Sequence, residues 1–171
     1  MAVEQPGWIV IARTSTGVAS DTRTVGSADG AAVTLVRFRA GAYRLNLHLG
    51  GSDPPSGGLA VPAVAGNAIS ASERPVLLGA FNGGFKSTAG AGGVEVDGWV
   101  VTPLVAGDAS LVVDQRGTVR IGVWGRTLPA AGEQVSSVRQ NLRPLIDGGR
   151  ISVYAGDVGV WGATLGGVDR V

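Results

Sequence analysis

The chain has 171 residues, of which 44% are hydrophobic and 16% are charged, and its formal net charge is +1. This composition excludes a disordered chain, and the small net charge disfavours a nucleic-acid partner held by phosphate neutralisation. The absence of cysteine excludes disulfides, thiolate metal sites and a cysteine nucleophile. We therefore expect one folded domain over residues 1–171, with no membrane span and no signal peptide at Met1–Pro6.

Short β-branched runs separated by glycine-rich turns predict many strands in the first part of the chain. Glycine occurs 29 times, about twice its usual frequency. Trp8–Ala12 predicts the first strand, and residues 13–31 predict a loop or a weak edge strand. Ala32–Phe38 and Tyr43–Leu49 predict a hairpin, because the second run alternates apolar and polar residues with a period of two.

The segment Leu59–Ser72 is the one stretch that predicts a helix. Pro62 fits its first turn, and Pro75 follows its end. The next apolar run, Leu77–Phe81, has the length of a buried strand and leads into Asn82-Gly83-Gly84. A strand that ends in such a loop favours a binding site, although Asn-Gly is also a common hairpin turn.

Three turns predict hairpins in the second half of the chain. The turns and the runs that they join are Asp97-Gly98 between Val94–Val96 and Trp99–Val101, Asp114–Gly117 between Ser110–Val113 and Thr118–Trp124, and Asp147–Gly149 between Leu142–Ile146 and Ile151–Tyr154. Gln134–Val138 predicts a further strand. The pattern indicates the α+β class, a mostly antiparallel sheet with hairpins and one or two helices packed on it.

Few residues suggest a particular chemistry by themselves. The single histidine, His48, lies on the polar face of a predicted strand and has no cysteine or second histidine with which to bind zinc. Asp108, Asp147 and Asp157 lie among glycines and are candidates to line a site. The backbone N–H groups of four glycines are suited to contact an anion, namely Gly83, Gly84, Gly92 and Gly93. The residues alone thus predict a glycine-lined loop for an anionic or sugar ligand.

The segment Ala80–Lys86 resembles the Asn-Gly-Gly-Phe motif of the phosphodiester glycosidase domain family. That family includes the uncovering enzyme, which removes N-acetylglucosamine from its phosphodiester link, and bacterial proteins associated with exopolysaccharides. Further blocks resemble the family in the same order, namely Val96–Gly98, Ala109–Gly117, Val138–Gly149 and Trp161–Gly167. The family usually continues with an arginine-containing strand and an Asp-Gly-Gly-Gly-Ser-like loop. We therefore expect this chain to be the N-terminal portion of such a domain or a shortened member of the family, and without the second part of the substrate site the resemblance does not imply activity of this chain alone.

The resemblance implies a hydrolase that cleaves the bond between sugar C1 and the oxygen of a phosphodiester. It implies catalytic roles for Asn82, through hydrogen bonding, and for Asp147, as a carboxylate. The substrate-binding residues that it implies are Gly83, Gly84, Lys86, Arg139, Gln140 and Asn141, with Lys86 and Arg139 for the phosphate charge. No cofactor or metal is assigned. The implied partner is a carbohydrate phosphodiester, the implied location is outside the cytoplasm, and open sheet edges would favour self-association.

The alternative is a non-catalytic β-rich module that binds polysaccharide or a protein. Trp99, Trp124 and Trp161 are candidates to stack on sugar rings. Large aromatic side chains more often serve the core, so their burial decides between these roles.

Overall fold

A computed structural model describes residues 7–26, 30, 32–49, 68–84, 90–157 and 159–160. The regular structure in these residues is mostly antiparallel β-sheet, with a 3-10 turn at Arg74–Val76. The chain divides into two compact units. One comprises Met1–Arg44 with Ala71–Phe81, and the other comprises Leu45–Ser70 with Asn82–Val171.

The first unit contains a three-stranded antiparallel sheet in the order β1-β2-β3. Its strands are β1 (Ile9–Thr14), β2 (Gly17–Gly26) and β3 (Ala32–Phe38). The central strand β2 pairs with β3 from Ser20 opposite Phe38 to Gly26 opposite Ala32. Its buried residues are Val18, Ala19, Ser20 and Asp21.

The predictions for residues 13–31 and for Tyr43–Leu49 are wrong. Residues 17–26 form the central strand, and residues 43–49 form no strand. The polar residues that argued against a central strand are satisfied by its neighbours. Asp21 accepts hydrogen bonds from Arg37 at 2.7 and 2.9 Å and from Arg39 at 2.6 Å. Long-range pairing therefore compensates for the weak strand propensity of β2.

The second unit contains a five-stranded antiparallel sheet in the order β5-β4-β8-β6-β7. Its strands are β4 (Val94–Val96), β5 (Trp99–Thr102), β6 (Ala109–Asp114), β7 (Val119–Val123) and β8 (Val135–Gln140). β8 lies at the centre, paired with β4 on one side and with β6 on the other. The strand predicted at 134–138 is confirmed and extends to Gln140.

One face of this sheet carries the hydrophobic core. Val112 and Val138 lie opposite each other in neighbouring strands and pack with Leu128, and each is at most 3% exposed. Partly buried residues that complete the cluster are Leu104, Trp124 and Val135. Successive residues of a strand point to opposite faces, so the residues next to Val138 lie on the other side of β8.

Turn chemistry accounts for the hairpins. Asp97 and Gly98 have φ values of 49° and 80°, as a two-residue hairpin turn between β4 and β5 requires. In the β6–β7 turn, Asp114 Oδ1 accepts hydrogen bonds from the N–H groups of Arg116 and Thr118, both at 2.8 Å. The third hairpin consists of β9 (Ile146–Asp147) and β10 (Arg150–Ile151) and is shorter than its prediction. All three hairpin predictions are thus confirmed in position.

Neither the helix nor the buried strand predicted before the Asn-Gly-Gly loop is found in the described residues. Residues 59–67 of the predicted helix lie outside the described part of the chain, and residues 68–72 are not helical. Leu77–Phe81 is not a strand, and Phe81 is 64% exposed. The run has no neighbouring strand to pair with, and its Gly79 lies against the ring of Phe38. The described chain is therefore β-rich rather than clearly α+β, and no helix in it is long and apolar enough to span a membrane.

Candidate functional site

The Asn82-Gly83-Gly84 loop forms a local turn. The side-chain oxygen Oδ1 of Asn82 accepts a hydrogen bond from the N–H of Gly84 at 3.3 Å. Asn82 and Gly83 are exposed, and Gly84 is half-buried. An Asx turn of this kind is a common local use of asparagine, and it leaves the loop backbone at the surface.

Arg139 of β8 packs directly against this loop. A Cβ placed on Gly84 would lie 3.2 Å from Nη2 and 3.3 Å from Cζ of Arg139, and a Cβ on Gly83 would lie 3.5 Å from its Cγ. The guanidinium therefore lies along the Gly83–Gly84 backbone, where larger residues would crowd it. The structure thus brings together three of the residues that the sequence assigned to substrate binding.

The carbonyl oxygen of Gly92 holds the other side of the Arg139 guanidinium. Arg139 Nη1 donates a hydrogen bond to this oxygen at 3.3 Å. Arg139 is also flanked in the sheet by Val94 of β4 and Leu111 of β6, which lie opposite it. The arginine is therefore held by the sheet, by Gly92 two residues before the start of β4, and by the glycine loop.

Gln140 follows Arg139 but lies on the opposite face of β8, in the interior. It is 0% exposed, and its side-chain amide makes four hydrogen bonds. Oε1 accepts from the N–H groups of Gly93 at 2.8 Å and Val105 at 2.6 Å. Nε2 donates to the carbonyl of Val105 and to Ser110 Oγ, both at 3.0 Å. The fold itself uses the amide that the sequence assigned to substrate recognition.

Asn141 continues the hydrogen bonding beyond the end of β8. Its N–H donates to the carbonyl of Ala109 at 2.8 Å, and its own carbonyl accepts from the N–H of Gly92 at 3.4 Å. Its side chain is half-buried. The backbone of Asn141 therefore helps to fix Gly92, the residue that binds Arg139.

Asp147 and Lys86 are not part of this cluster as described. Asp147 lies on β9 and forms its ion pair with Arg126, rather than with Arg139. Lys86, predicted to bind phosphate, lies outside the described residues, as does Trp161. The predicted roles of Asp147 and Lys86 stay predictions.

Asp108 and Arg143 form a second charged group beside Gly92. Asp108 is 6% exposed, and its Oδ1 lies 3.6 Å from Arg143 Nη1, which also donates to the carbonyl of Ala106 at 3.0 Å. Burial raises the pKa of the Asp108 carboxyl, and the positive charge of Arg143 offsets part of that rise. A Cβ on Gly92 would lie 2.6 Å from Asp108 Oδ2. Only the small Gly92 therefore fits between this carboxylate and its neighbours.

Only one of these two residues could be found from its neighbours in the sequence. Asp108 was recognised as a carboxylate among glycines, whereas nothing marked Arg143, because its contact with Asp108 depends on the turn after β8. Among the described residues, Arg139, Arg143 and the buried carboxylate of Asp108 thus lie around Gly92. Within the described residues, no group of three or more His, Asp or Glu side chains is placed to hold a metal ion.

These features define a β-rich domain in which an exposed glycine loop is packed on a sheet arginine. Comparison of the chain with protein-family models, with curated proteins and with solved structures gives no match. The resemblance to the phosphodiester glycosidase domain family therefore stays a prediction, and the site geometry is the basis for the proposals that follow.

Proposed function

We propose that this chain hydrolyses a sugar-1-phosphodiester. The observation that carries the proposal is the packing of Arg139 on the glycine loop, with its guanidinium against the half-buried Gly84 and its Cγ against the exposed Gly83. A guanidinium offers a fork of N–H donors that matches two phosphate oxygens, and glycine lets a ligand approach the backbone closely. The two features lie within one contact distance, as a phosphodiester-binding site requires.

In the proposed reaction, the bond between sugar C1 and the ester oxygen breaks, and a water oxygen forms the new bond to C1. The leaving group is a phosphate monoester that keeps the ester oxygen and its electron pair. Arg139 and Lys86 stabilise the charge on this group, while Asn82 and Asn141 hydrogen-bond the substrate. The water proton passes to a carboxylate and then to solvent.

Two carboxylates are candidates to accept that proton. The resemblance implies Asp147, which is ion-paired with Arg126. Asp108 is the alternative, because it lies against Gly92, whose carbonyl binds Arg139. Replacing each by asparagine separates them, since loss of the working base lowers kcat strongly and loss of the other leaves kcat within about threefold.

The rest of the proposal follows the family. We include in it the α+β class, an extracytoplasmic location, a carbohydrate phosphodiester rather than nucleic acid as partner, and self-association through the sheet edges. The edge strands of the second unit are β5 and β7. Unpaired edges of this kind provide hydrogen-bonding groups for a second chain.

The test is an assay of sugar release from the 1-(methyl phosphate) diesters of glucose, mannose and N-acetylglucosamine. We expect release from at least one diester. Asn82→Asp keeps the turn acceptor for Gly84 but puts a negative charge beside the phosphate, so we expect release to fall by about tenfold or more. Asn46→Ala, at an exposed position with no role in the proposed site, is the matched control and should retain activity.

Two results would contradict the proposal. One is the absence of sugar release from all three diesters. The other is undiminished sugar release by the Asn82→Asp variant and also by a separate Arg139→Ala variant. The first result would also leave the chain without activity on the substrate class that its arginine–glycine cluster suits.

A second candidate function is polysaccharide binding without catalysis. Trp99 favours it, because this side chain is 58% exposed on the edge strand β5. Trp124 packs on the core, and Trp8 lies under the guanidinium of Arg37. Binding of an exopolysaccharide that is lost in Trp99→Ala, without release of sugar from any diester, would support this alternative.

A further inference from the structure

We propose that Gln140 is a positioning residue that sets the direction of Arg139 through the Gly92–Gly93 dipeptide. This inference rests on the proposed function, in which Arg139 binds the phosphate. It assigns Gln140 a role different from the substrate contact that the sequence implied. The role follows from the buried position and the four hydrogen bonds of the Gln140 amide.

Two hydrogen bonds join Gln140 to Gly93. Gln140 Oε1 accepts the N–H of Gly93 at 2.8 Å, and the backbone N–H of Gln140 donates to the carbonyl of Gly93 at 3.0 Å. The same amide binds both polar groups of Val105, so it cannot turn without breaking these bonds. Gln140 therefore fixes the position of Gly93 relative to β8.

A hydrogen bond also joins Gly92 to Arg139. The carbonyl of Gly92 accepts from Arg139 Nη1 at 3.3 Å, and its N–H donates to the carbonyl of Asn141 at 3.4 Å. The Gly92–Gly93 dipeptide is thus bonded to three consecutive residues, which are Arg139, Gln140 and Asn141. A shift of Gly93 moves the acceptor that orients the guanidinium.

The dipeptide is closely packed, which leaves little room to absorb such a shift. A Cβ on Gly92 would lie 2.9 Å from both Cβ and Oε1 of Gln140 and 2.6 Å from Asp108 Oδ2. A Cβ on Gly93 would overlap the carbonyl of Pro103. Because the dipeptide is confined on both sides, the Gln140 amide and the Arg139 guanidinium are mechanically coupled.

The test compares three variants of the full chain. Gln140→Met keeps the length of the side chain but removes all four hydrogen bonds, and Gln140→Glu keeps the acceptor for Gly93 and Val105 but loses the two bonds that Nε2 donates. Val112→Ala is the matched control, because Val112 is a core residue at 1% exposure that lies opposite Val138 and Arg120 rather than opposite Arg139 or Gln140. All are measured well below their unfolding temperatures, so that differences in stability do not enter.

The main readout is the NMR resonance of the Arg139 Nε–Hε group, assigned by its loss in Arg139→Lys. We expect this resonance to move in Gln140→Met, to move less in Gln140→Glu, and to stay at the wild-type position in Val112→Ala. Titration with inorganic phosphate should give a dissociation constant raised about tenfold in Gln140→Met, the equivalent of one lost charge-assisted hydrogen bond. With a diester substrate, KM should rise more than kcat falls.

The inference would be overturned by an Arg139 resonance that is the same in the Gln140 variants as in Val112→Ala. If Gln140→Met does not fold, Gln140→Glu gives the same comparison. The failure of the proposed function looks different, because there the Arg139 resonance still responds to Gln140 while wild type releases no sugar. Sugar release with an unchanged KM in the folded Gln140 variants would remove the positioning role and leave the function standing.

Discussion

The central strands of the two sheets each bury a polar residue, but they satisfy it in different ways. In the three-stranded sheet, Asp21 of β2 is 3% exposed and ion-paired with Arg37 and Arg39 of the neighbouring segment. In the five-stranded sheet, Gln140 of β8 is 0% exposed and bonded to backbone groups and a hydroxyl. The first arrangement uses charge, and the second is neutral.

The surroundings of the two residues differ in the same sense. Around β8, Val112, Val138 and Leu128 form a buried apolar cluster. In the three-stranded sheet, Ile9, Val36 and Leu35 keep 70%, 49% and 42% of their surfaces exposed. We infer that the five-stranded sheet depends on apolar packing, and that the three-stranded sheet depends more on its ion-paired aspartate. Breaking a buried ion pair by removing one partner leaves an uncompensated charge, which makes such a sheet sensitive to protonation.

The largest expected effect is that of removing apolar volume from the five-stranded sheet. Leu128 is 3% exposed, so Leu128→Ala should lower the free energy of unfolding by about 3 kcal/mol. Leu35→Ala, at 42% exposure in the other sheet, should cost less than about 1 kcal/mol. Urea unfolding gives both values, with NMR amide signals of β6 and β8 as the probe of the five-stranded sheet and those of β2 and β3 as the probe of the three-stranded sheet. Equal losses in the two variants would contradict the proposed difference.

The next effect is acid sensitivity of the three-stranded sheet. Hydrogen bonds from Arg37, supported by Arg39, lower the pKa of Asp21 from 3.8 to about 2. Because the folded pKa lies below the unfolded one, Asp21 stabilises the fold above pH 3.8, and this stabilisation is lost as the pH falls towards about 2. The amide protection factors in β2 and β3, which are corrected for the pH dependence of intrinsic exchange, should therefore fall over this range.

The five-stranded sheet supplies the comparison in the same experiment. Hydrogen bonds from the backbone of Thr118 lower the pKa of Asp114, whereas burial raises the pKa values of Glu95 and Asp108. Protonation of the last two favours the folded state, so their effects oppose that of Asp114 as the pH falls. In Asp21→Asn, the β2 and β3 amides should have lower protection factors than in wild type at pH 6. These protection factors should then lack the further fall that wild type shows on acidification. Acid loss of protection in β6 and β8 before β2 and β3 would contradict the comparison.

The parts of the fold that the sequence predicted are those set by neighbouring residues. Asp97-Gly98 specifies its hairpin because both positions adopt positive φ, and Asp114 bonds to its own turn. The β2 strand could not be predicted, because Asp21 is satisfied by arginines 16 and 18 positions away. Likewise, an apolar run such as Leu77–Phe81 forms a strand only when a partner strand lies beside it, and the run itself does not show whether there is one.

In the candidate site, too, local features could be predicted and features that depend on strand pairing could not. The exposed turn of Asn82-Gly83-Gly84 could be anticipated from residue types, but its contact with Arg139 depends on the pairing of β8 with β4. The burial of Gln140 follows from its place on the core face of β8, next to an arginine on the other face. Arg139 and Gln140 are consecutive in β8, so their side chains lie on opposite faces of the strand. Which of them faces the core depends on the register of β8, because a shift of one residue exchanges the two faces.

The smallest effect concerns local turn chemistry and should not depend on which sheet carries it. Gly98 has φ of 80° in the β4–β5 turn, so Gly98→Ala should lower the free energy of unfolding by about 1 kcal/mol. Gly98→Asn should cost only a few tenths of that value, because asparagine tolerates the left-handed region. Gly26→Ala, at the end of β2 with no atom within 4 Å of the added Cβ, is the matched control in the other sheet and should be close to neutral. If Gly26→Ala were as destabilising as Gly98→Ala, the cost would come from something other than backbone conformation, and the three-stranded sheet would be more tightly packed than its exposed side chains indicate.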